Sequence, residues 1–171
     1  RVPDRTIDKM YSRFRTQKIP SGVKVIKPDE LDTVWLKLRD LSEYKRIHHI
    51  GDIHGCNTVV QEYLKSQGGI KDDEFYIFLG DYIDRGIENG ETVNFLISIK
   101  DRKNVLILEG NHDRWLWLYG NDCPGRSREF ELVTRPELDK AGVDKKEIRQ
   151  LYRKMGQCAY YQYGDKIFLV T

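Results

Sequence analysis

The chain has 171 residues, with 29 Lys+Arg against 27 Asp+Glu for a net charge of +2, and 39% of its positions are hydrophobic. That balance suits one domain able to bury a core, and it excludes an acidic or polybasic disordered chain. Apolar runs such as Ile167-Phe168-Leu169-Val170 are strand-sized, far short of the roughly 18 residues of a membrane span, so no membrane association is expected. Cys56, Cys123 and Cys158 are scattered, with no CxxC pair, which argues against a disulfide framework or a thiolate zinc site and for a reducing, cytoplasmic setting. The chain opens on Arg1 with no charged-then-apolar leader after it, so a piece excised from a longer protein, without a signal peptide, is expected.

Ile7, Met10, Tyr11 and Phe14 fall at i, i+3, i+4, i+7 and predict an amphipathic helix over 4–15. Pro20, Ser21 and Gly22 form a turn before a short strand at Val23 and Val25. After Pro28, the stripe Leu31, Val34, Trp35, Leu38, Leu41 predicts a second helix. This opening stretch carries packing without visible chemistry.

From Lys45 a unit repeats: an apolar strand, a glycine-containing turn loaded with Asp, His or Asn, then a helix. Ile47 to Ile50 leads into Gly51-Asp52-Ile53-His54-Gly55, followed by a helix with Asn57 as cap, Val59, Val60, Tyr63 and Leu64 as buried face, and Gly68-Gly69 as stop. Phe75 to Leu79 leads into Gly80-Asp81-Tyr82-Ile83-Asp84-Arg85-Gly86, and the next helix carries Val93, Leu96 and Ile97. Val105 to Leu108 leads into Glu109-Gly110-Asn111-His112-Asp113. Such alternation predicts an α/β fold with a mainly parallel sheet, its ligands bound beyond the carboxyl ends of the strands. Residues 114–157 read as a helical, irregular cap over that edge, with Asp144 and Glu147 starting a helix that ends at Gly156. Cys158 to Tyr163, Gly164-Asp165 and Lys166 to Val170 read as a β-hairpin.

Carboxylates and imidazoles together suit Mn, Fe, Zn or similar ions. Asp52 and His54, two apart on an extended segment, would point to the same side and could share one metal. Asp81 follows a strand directly, where its carboxylate could bridge two ions, and Arg85 could take phosphate through two parallel hydrogen bonds. The amide oxygen of Asn111 can ligate, and His112 can titrate near neutrality. Any one of these alone would read as a turn former or a surface pair; three such clusters, each after an apolar strand and bracketed by glycine, point to one site.

The motifs G-D-I-H-G, G-D-Y-I-D-R-G and G-N-H-D resemble the leading motifs of the calcineurin-like metallophosphoesterases, in the phosphoprotein-phosphatase-type branch. The resemblance implies a mainly parallel β core, half of a β-sandwich, flanked by helices. It implies that Asp52 and His54 bind one metal, that Asp81 bridges two, and that Asn111 binds the second. Arg85, with Asn111 and His112, would hold the phosphate, while His112, helped by Asp84, would protonate the leaving group. The cofactors implied are two divalent ions, manganese first, with iron, zinc, nickel or cobalt as alternatives. The partner implied is a phosphorylated substrate: a nucleotide, a nucleic-acid end or a phosphoprotein.

Asp113 stands where eukaryotic-type protein phosphatases have Glu, which resembles bacterial and phage members, including the phosphatase module of polynucleotide kinase-phosphatases. In the family, the strand resembled by Ile167 to Thr171 runs into a His-Gly-Gly type turn, and a further Gly-His segment supplies another ligand. The chain holds only His48, His49, His54 and His112, so 46–171 reads as the N-terminal part of a catalytic domain, truncated and nearly inactive alone. Residues 1–45, with Arg1-Val2-Pro3 and Pro20, resemble the closing segment of a small P-loop kinase, although no Walker-type loop occurs. Outside the motifs, Cys56, Trp115, Trp117 and Tyr119 are expected to pack, and Arg126, Arg128 and Arg135 to form a solvated face. At least one of His48 and His49 is expected to face the interior. A binding scaffold that kept the fold without catalysis is the alternative function.

Overall fold

The alternation of side chains in one strand organises the molecule. In a computed structural model that describes residues 38–125 and 127–171, β3 (Phe75–Phe78) is buried along its whole length. Tyr76 and Phe78 face one core with Val93, Leu96, Leu116 and Ile148, whereas Phe75 and Ile77 face a second with Leu41, Leu108, Ala159 and Tyr161. A strand covered on both faces reads as a continuous apolar run, as this one does.

β2 (Ile47–Ile50), β3 and β4 (Val105–Ile107) pair in parallel in the order β2-β3-β4. A second sheet, in the order β1-β5-β6, joins β1 (Arg39–Asp40) in parallel to β5 (Ala159–Tyr163), which forms an antiparallel hairpin with β6 (Lys166–Val170). The two sheets enclose the second core. α1 (Asn57–Ser66), α2 (Asn89–Ile99), α3 (Arg114–Gly120), α4 (Arg135–Lys140) and α5 (Lys145–Lys154) build the first. A π-helical turn, Phe130–Thr134, runs directly into α4. The described residues all belong to one unit, Lys37–Thr171.

Several expectations need correction. The second predicted helix does not continue to Leu41, because Arg39–Asp40 is a strand beside β5 and Leu41 is drawn into the second core. Asn57 does not cap α1; the carboxylate of Glu88 reaches across to accept from the Thr58 N–H at 2.8 Å, and from its hydroxyl. On α1 only Val60 and Leu64 are buried, while Val59 is 64% exposed. The predicted elements over 4–37 and the role given to Arg126 lie outside the described residues.

His48 does face the interior. Its Nε2 donates to a Glu74 carboxylate oxygen at 2.8 Å, and its Nδ1 is hydrogen-bonded to the Tyr63 hydroxyl at 2.7 Å. His48 and Glu74 are buried, and the His48 ring stacks on Tyr76, so the group ties β2 to the start of β3 at the end of the sheet away from the motif turns.

Candidate functional site

The three motif turns emerge at the carboxyl ends of β2, β3 and β4 and pack backbone against backbone. A Cβ on Gly110 would meet Asp81 N at 2.2 Å, and one on Gly86 would meet His54 O at 2.2 Å, so only glycine lets the turns touch. Hydrogen bonds stitch them together, from His54 N to Asp81 O at 2.9 Å and from Gly55 N to Tyr82 O at 2.8 Å.

Backbone strain gathers in these turns. Among the described residues, the non-glycine positions with positive φ are Asp52 (46°), His54 (45°), Asp81 (52°), Asp84 (70°), Arg85 (68°) and Asp122 (57°). All but Asp122 are motif residues. Such conformations cost about 1–3 kcal/mol each and persist where the surroundings over-determine them. Asp52 and His54 therefore converge through two left-handed residues; the extended segment expected between them is absent.

Ligand atoms of Asp52, His54 and Asp81 lie within 4.8 Å of one another. His54 Nδ1 sits 3.0 Å from the carbonyl oxygen of Ile83, which can only accept, so Nδ1 carries the proton and the Nε2 lone pair is left for a cation. Two carboxylates and one imidazole fit a divalent ion of the manganese, iron or zinc type. Asp52 and His54 also line an open cleft of about 610 Å³ with Ile50, Val59 and Tyr63. Asn111 is exposed in the third turn, next to His112, whose N–H donates to Asp81 Oδ1 at 3.0 Å.

His112 and Asp84 form a pair beside this cluster. His112 Nδ1 donates to Asp84 Oδ2 at 2.7 Å, and Arg85 Nη2 stands 3.5 Å from His112 Nε2. Asp84 is fully buried and the His112 side chain is 17% exposed. The imidazole rings of His54 and His112 meet edge to face with centroids 5.0 Å apart, which brings the two groups of residues into one site.

Asp113, which the sequence marked only as a departure from the eukaryotic-type motif, closes the assembly. Its buried carboxylate accepts from Gly110 N at 2.8 Å, Asp81 N at 2.9 Å and Tyr82 N at 2.9 Å, clamping the third turn to the second. Burial pushes this carboxyl up to about 7, against the downward pull of the three donors. Asp113→Asn puts an NH₂ where an acceptor is needed. It should cost about 1–3 kcal/mol, the range for a buried group left without its partner, read as a lowered thermal midpoint. An unchanged midpoint would mean that the clamp is not needed.

The covering helices also reach the second turn, which the sequence reading missed. Glu129 Oε1 accepts from Arg85 N at 2.7 Å, the Thr134 hydroxyl donates to Asp84 Oδ1 at 2.5 Å, and Glu137 Oε2 accepts from Asn89 N at 3.1 Å and Nδ2 at 2.8 Å. Asn89 Oδ1 in turn accepts from Asp84 N at 2.8 Å. Trp115 and Tyr119 pack on Phe130, and Trp117 on Tyr152, as expected of cap core. Arg135 departs from the solvated face expected for it, since it pairs with Glu131 at 2.9 Å and lies over the Tyr119 ring. Cys56 is exposed and does not pack.

A family model described as calcineurin-like phosphoesterase matches residues 45–167. The serine/threonine-protein phosphatase PP1-1 of Saccharomyces cerevisiae is 42% identical over 65 residues, 37% of this chain and 21% of that protein. Among solved structures, a Saccharomyces cerevisiae serine/threonine phosphatase with similarity to human phosphatase PP5 aligns with a TM-score of 0.50 and 20% identity, over 71% of this chain and 36% of its own. A crystal structure provisionally described as a diadenosine tetraphosphatase aligns with a TM-score of 0.51 and 15% identity, over 74% of this chain and 49% of its own. The chain thus spans about a fifth of the length of that PP1-1 phosphatase. No helix among the described residues is long and apolar enough to cross a membrane.

Proposed function

Because the chain belongs to the calcineurin-like phosphoesterase family, we propose that it serves metal-dependent hydrolysis of phosphate esters or anhydrides in the cytoplasm. The observation that carries this reading is the convergence of Asp52, His54 and Asp81 beside the His112–Asp84 pair. Asp52 and His54 would hold one divalent ion, Asp81 would serve two, and Asn111 would serve the second, with manganese as first choice. Ions bound there would polarise the phosphate and acidify the attacking water.

The remaining steps belong to the chain's own side chains. Arg85 offers its guanidinium to the phosphate oxygens from a strained backbone position, fixed by Glu129 at its N–H. Asp84 accepts from His112 Nδ1, so a proton on Nε2 is the one presented outward to the leaving oxygen. The substrate class follows from the acceptor chemistry: a phosphate whose leaving oxygen needs that proton, on a protein, a nucleotide or a nucleic-acid end.

Four protein ligands for two ions leave positions to water or to groups outside this set, so Mn²⁺ binding weaker than that of a fully ligated centre, and slow turnover, are expected. Calorimetric titration with Mn²⁺, run beside turnover of aryl phosphate, a phosphoserine peptide and diadenosine tetraphosphate, tests the reading. Binding lost in His54→Ala supports it. No heat of binding, together with turnover indifferent to chelators, would remove it.

A further inference from the structure

We propose that Thr134, in the π-helical turn of the covering segment, is a positioning residue that locks the Asp84 carboxylate in the orientation His112 requires. The inference rests on the reading of His112 as proton donor, and it extends that reading to a part of the fold outside the motifs. Asp84 has two oxygens and two divided tasks: Oδ2 accepts from His112 Nδ1 at 2.7 Å, and Oδ1 accepts from Thr134 Oγ1 at 2.5 Å. A carboxylate turns about its last torsion in a broad, two-fold well, so one partner alone does not fix its plane. The second partner does, and both residues are fully buried, where no water can substitute.

The Thr134 hydroxyl donates to Asp84 in place of a local helical bond. In an ordinary helix it would bond back to the carbonyl three or four residues earlier. Here it closes a π-helical turn just before Pro136, which has no N–H to donate to the carbonyl four residues back. π-helical turns are rare and recur at functional sites. Glu129 and Thr134 bond the second motif turn from this segment, and Glu137 holds Asn89, which accepts from Asp84 N, so the hydroxyl is one of a set of ties and not an isolated contact.

Thr134→Val keeps the branched shape and removes the hydroxyl, while Thr134→Ser keeps the hydroxyl and removes the methyl. The readout is the His112 Nδ1–H resonance in the ¹⁵N-labelled chain, together with kcat on alkyl and activated aryl phosphates. In Thr134→Val that resonance should move or exchange away, and kcat on alkyl phosphates should fall roughly tenfold with KM unchanged, the worth of one hydrogen bond to a charged group. Thr134→Ser should retain both. A Val variant with the wild-type resonance overturns the proposal. So does a Ser variant that loses the resonance, because the methyl would then be what matters, and this arm remains informative if the Val variant does not fold. Were the resonance to follow the hydroxyl while His112→Ala lost kcat equally on alkyl and activated aryl phosphates, the positioning would stand and the acid role of His112 would fall.

Discussion

Asp81→Ala should abolish turnover, by about 10³-fold or more, since losing the proposed metal ligand would remove several kcal/mol of charge stabilisation and each 1.36 kcal/mol is a factor of ten. The position does two things at once. Its carboxylate lies within 4.8 Å of donors from Asp52 and His54, and its Oδ1 accepts the N–H of His112 at 3.0 Å. Alanine removes the ligand and also releases the turn that carries the proposed acid. Asp81→Asn separates the two, because an amide oxygen still accepts the His112 N–H while the negative charge is gone. Steady-state kinetics beside Mn²⁺ calorimetry reads the result: Asn should lose most of the Mn²⁺ affinity and most of the rate while leaving the melting temperature close to wild type. Near-wild-type turnover in Asp81→Asn would exclude a metal held at this carboxylate.

What could be seen in the sequence was the part written in local periods. Three apolar strands, each ending in a glycine-bracketed polar turn, put Asp52, Asp81 and Asn111 at one end of a parallel sheet, whereas the strand order β2-β3-β4 is seen only in the fold. The close approach of the turns is legible too, because glycines at 86 and 110 stand where backbone must touch backbone. The second sheet was half visible. Its hairpin shows in the pattern around Gly164-Asp165, but its two-residue strand β1 carries no period, and the apolar stripe through Leu38 and Leu41 imitates a helix.

The ties from the covering segment were hidden for a different reason. Glu129, Thr134 and Glu137 are spaced by five and three residues, and no helix of 3.6 residues per turn brings the first two to one face. The π-helical turn restores the phase, and that turn is a tertiary outcome, set by Phe130 buried against Tyr119 and by Pro136 behind it. Asp113 was hidden because its partners are backbone N–H groups, whose positions depend on how the turns dock.

His112→Ala should lower kcat by about 10²–10⁴-fold on substrates with basic leaving groups and much less on activated aryl phosphates. The geometry gives the sign of that difference. Nδ1 is committed to Asp84 at 2.7 Å, which leaves Nε2 as the outward-facing nitrogen, near Arg85 Nη2 at 3.5 Å. A guanidinium at that distance is itself held against the phosphate only if no neighbouring carboxylate claims it, and Asp84 is occupied by His112 and Thr134. Removing the imidazole would therefore take away the proposed proton donor while Arg85, Asp52, His54 and Asp81 remain. An aryl oxide departs without protonation and should feel mainly the loss of local order, whereas an alkoxide cannot. Plotted against leaving-group pKa, log kcat for the variant should slope steeply downward where the wild type is nearly flat. Parallel lines for the two proteins would reject proton donation by His112 and would leave it a role in holding the phosphate alone.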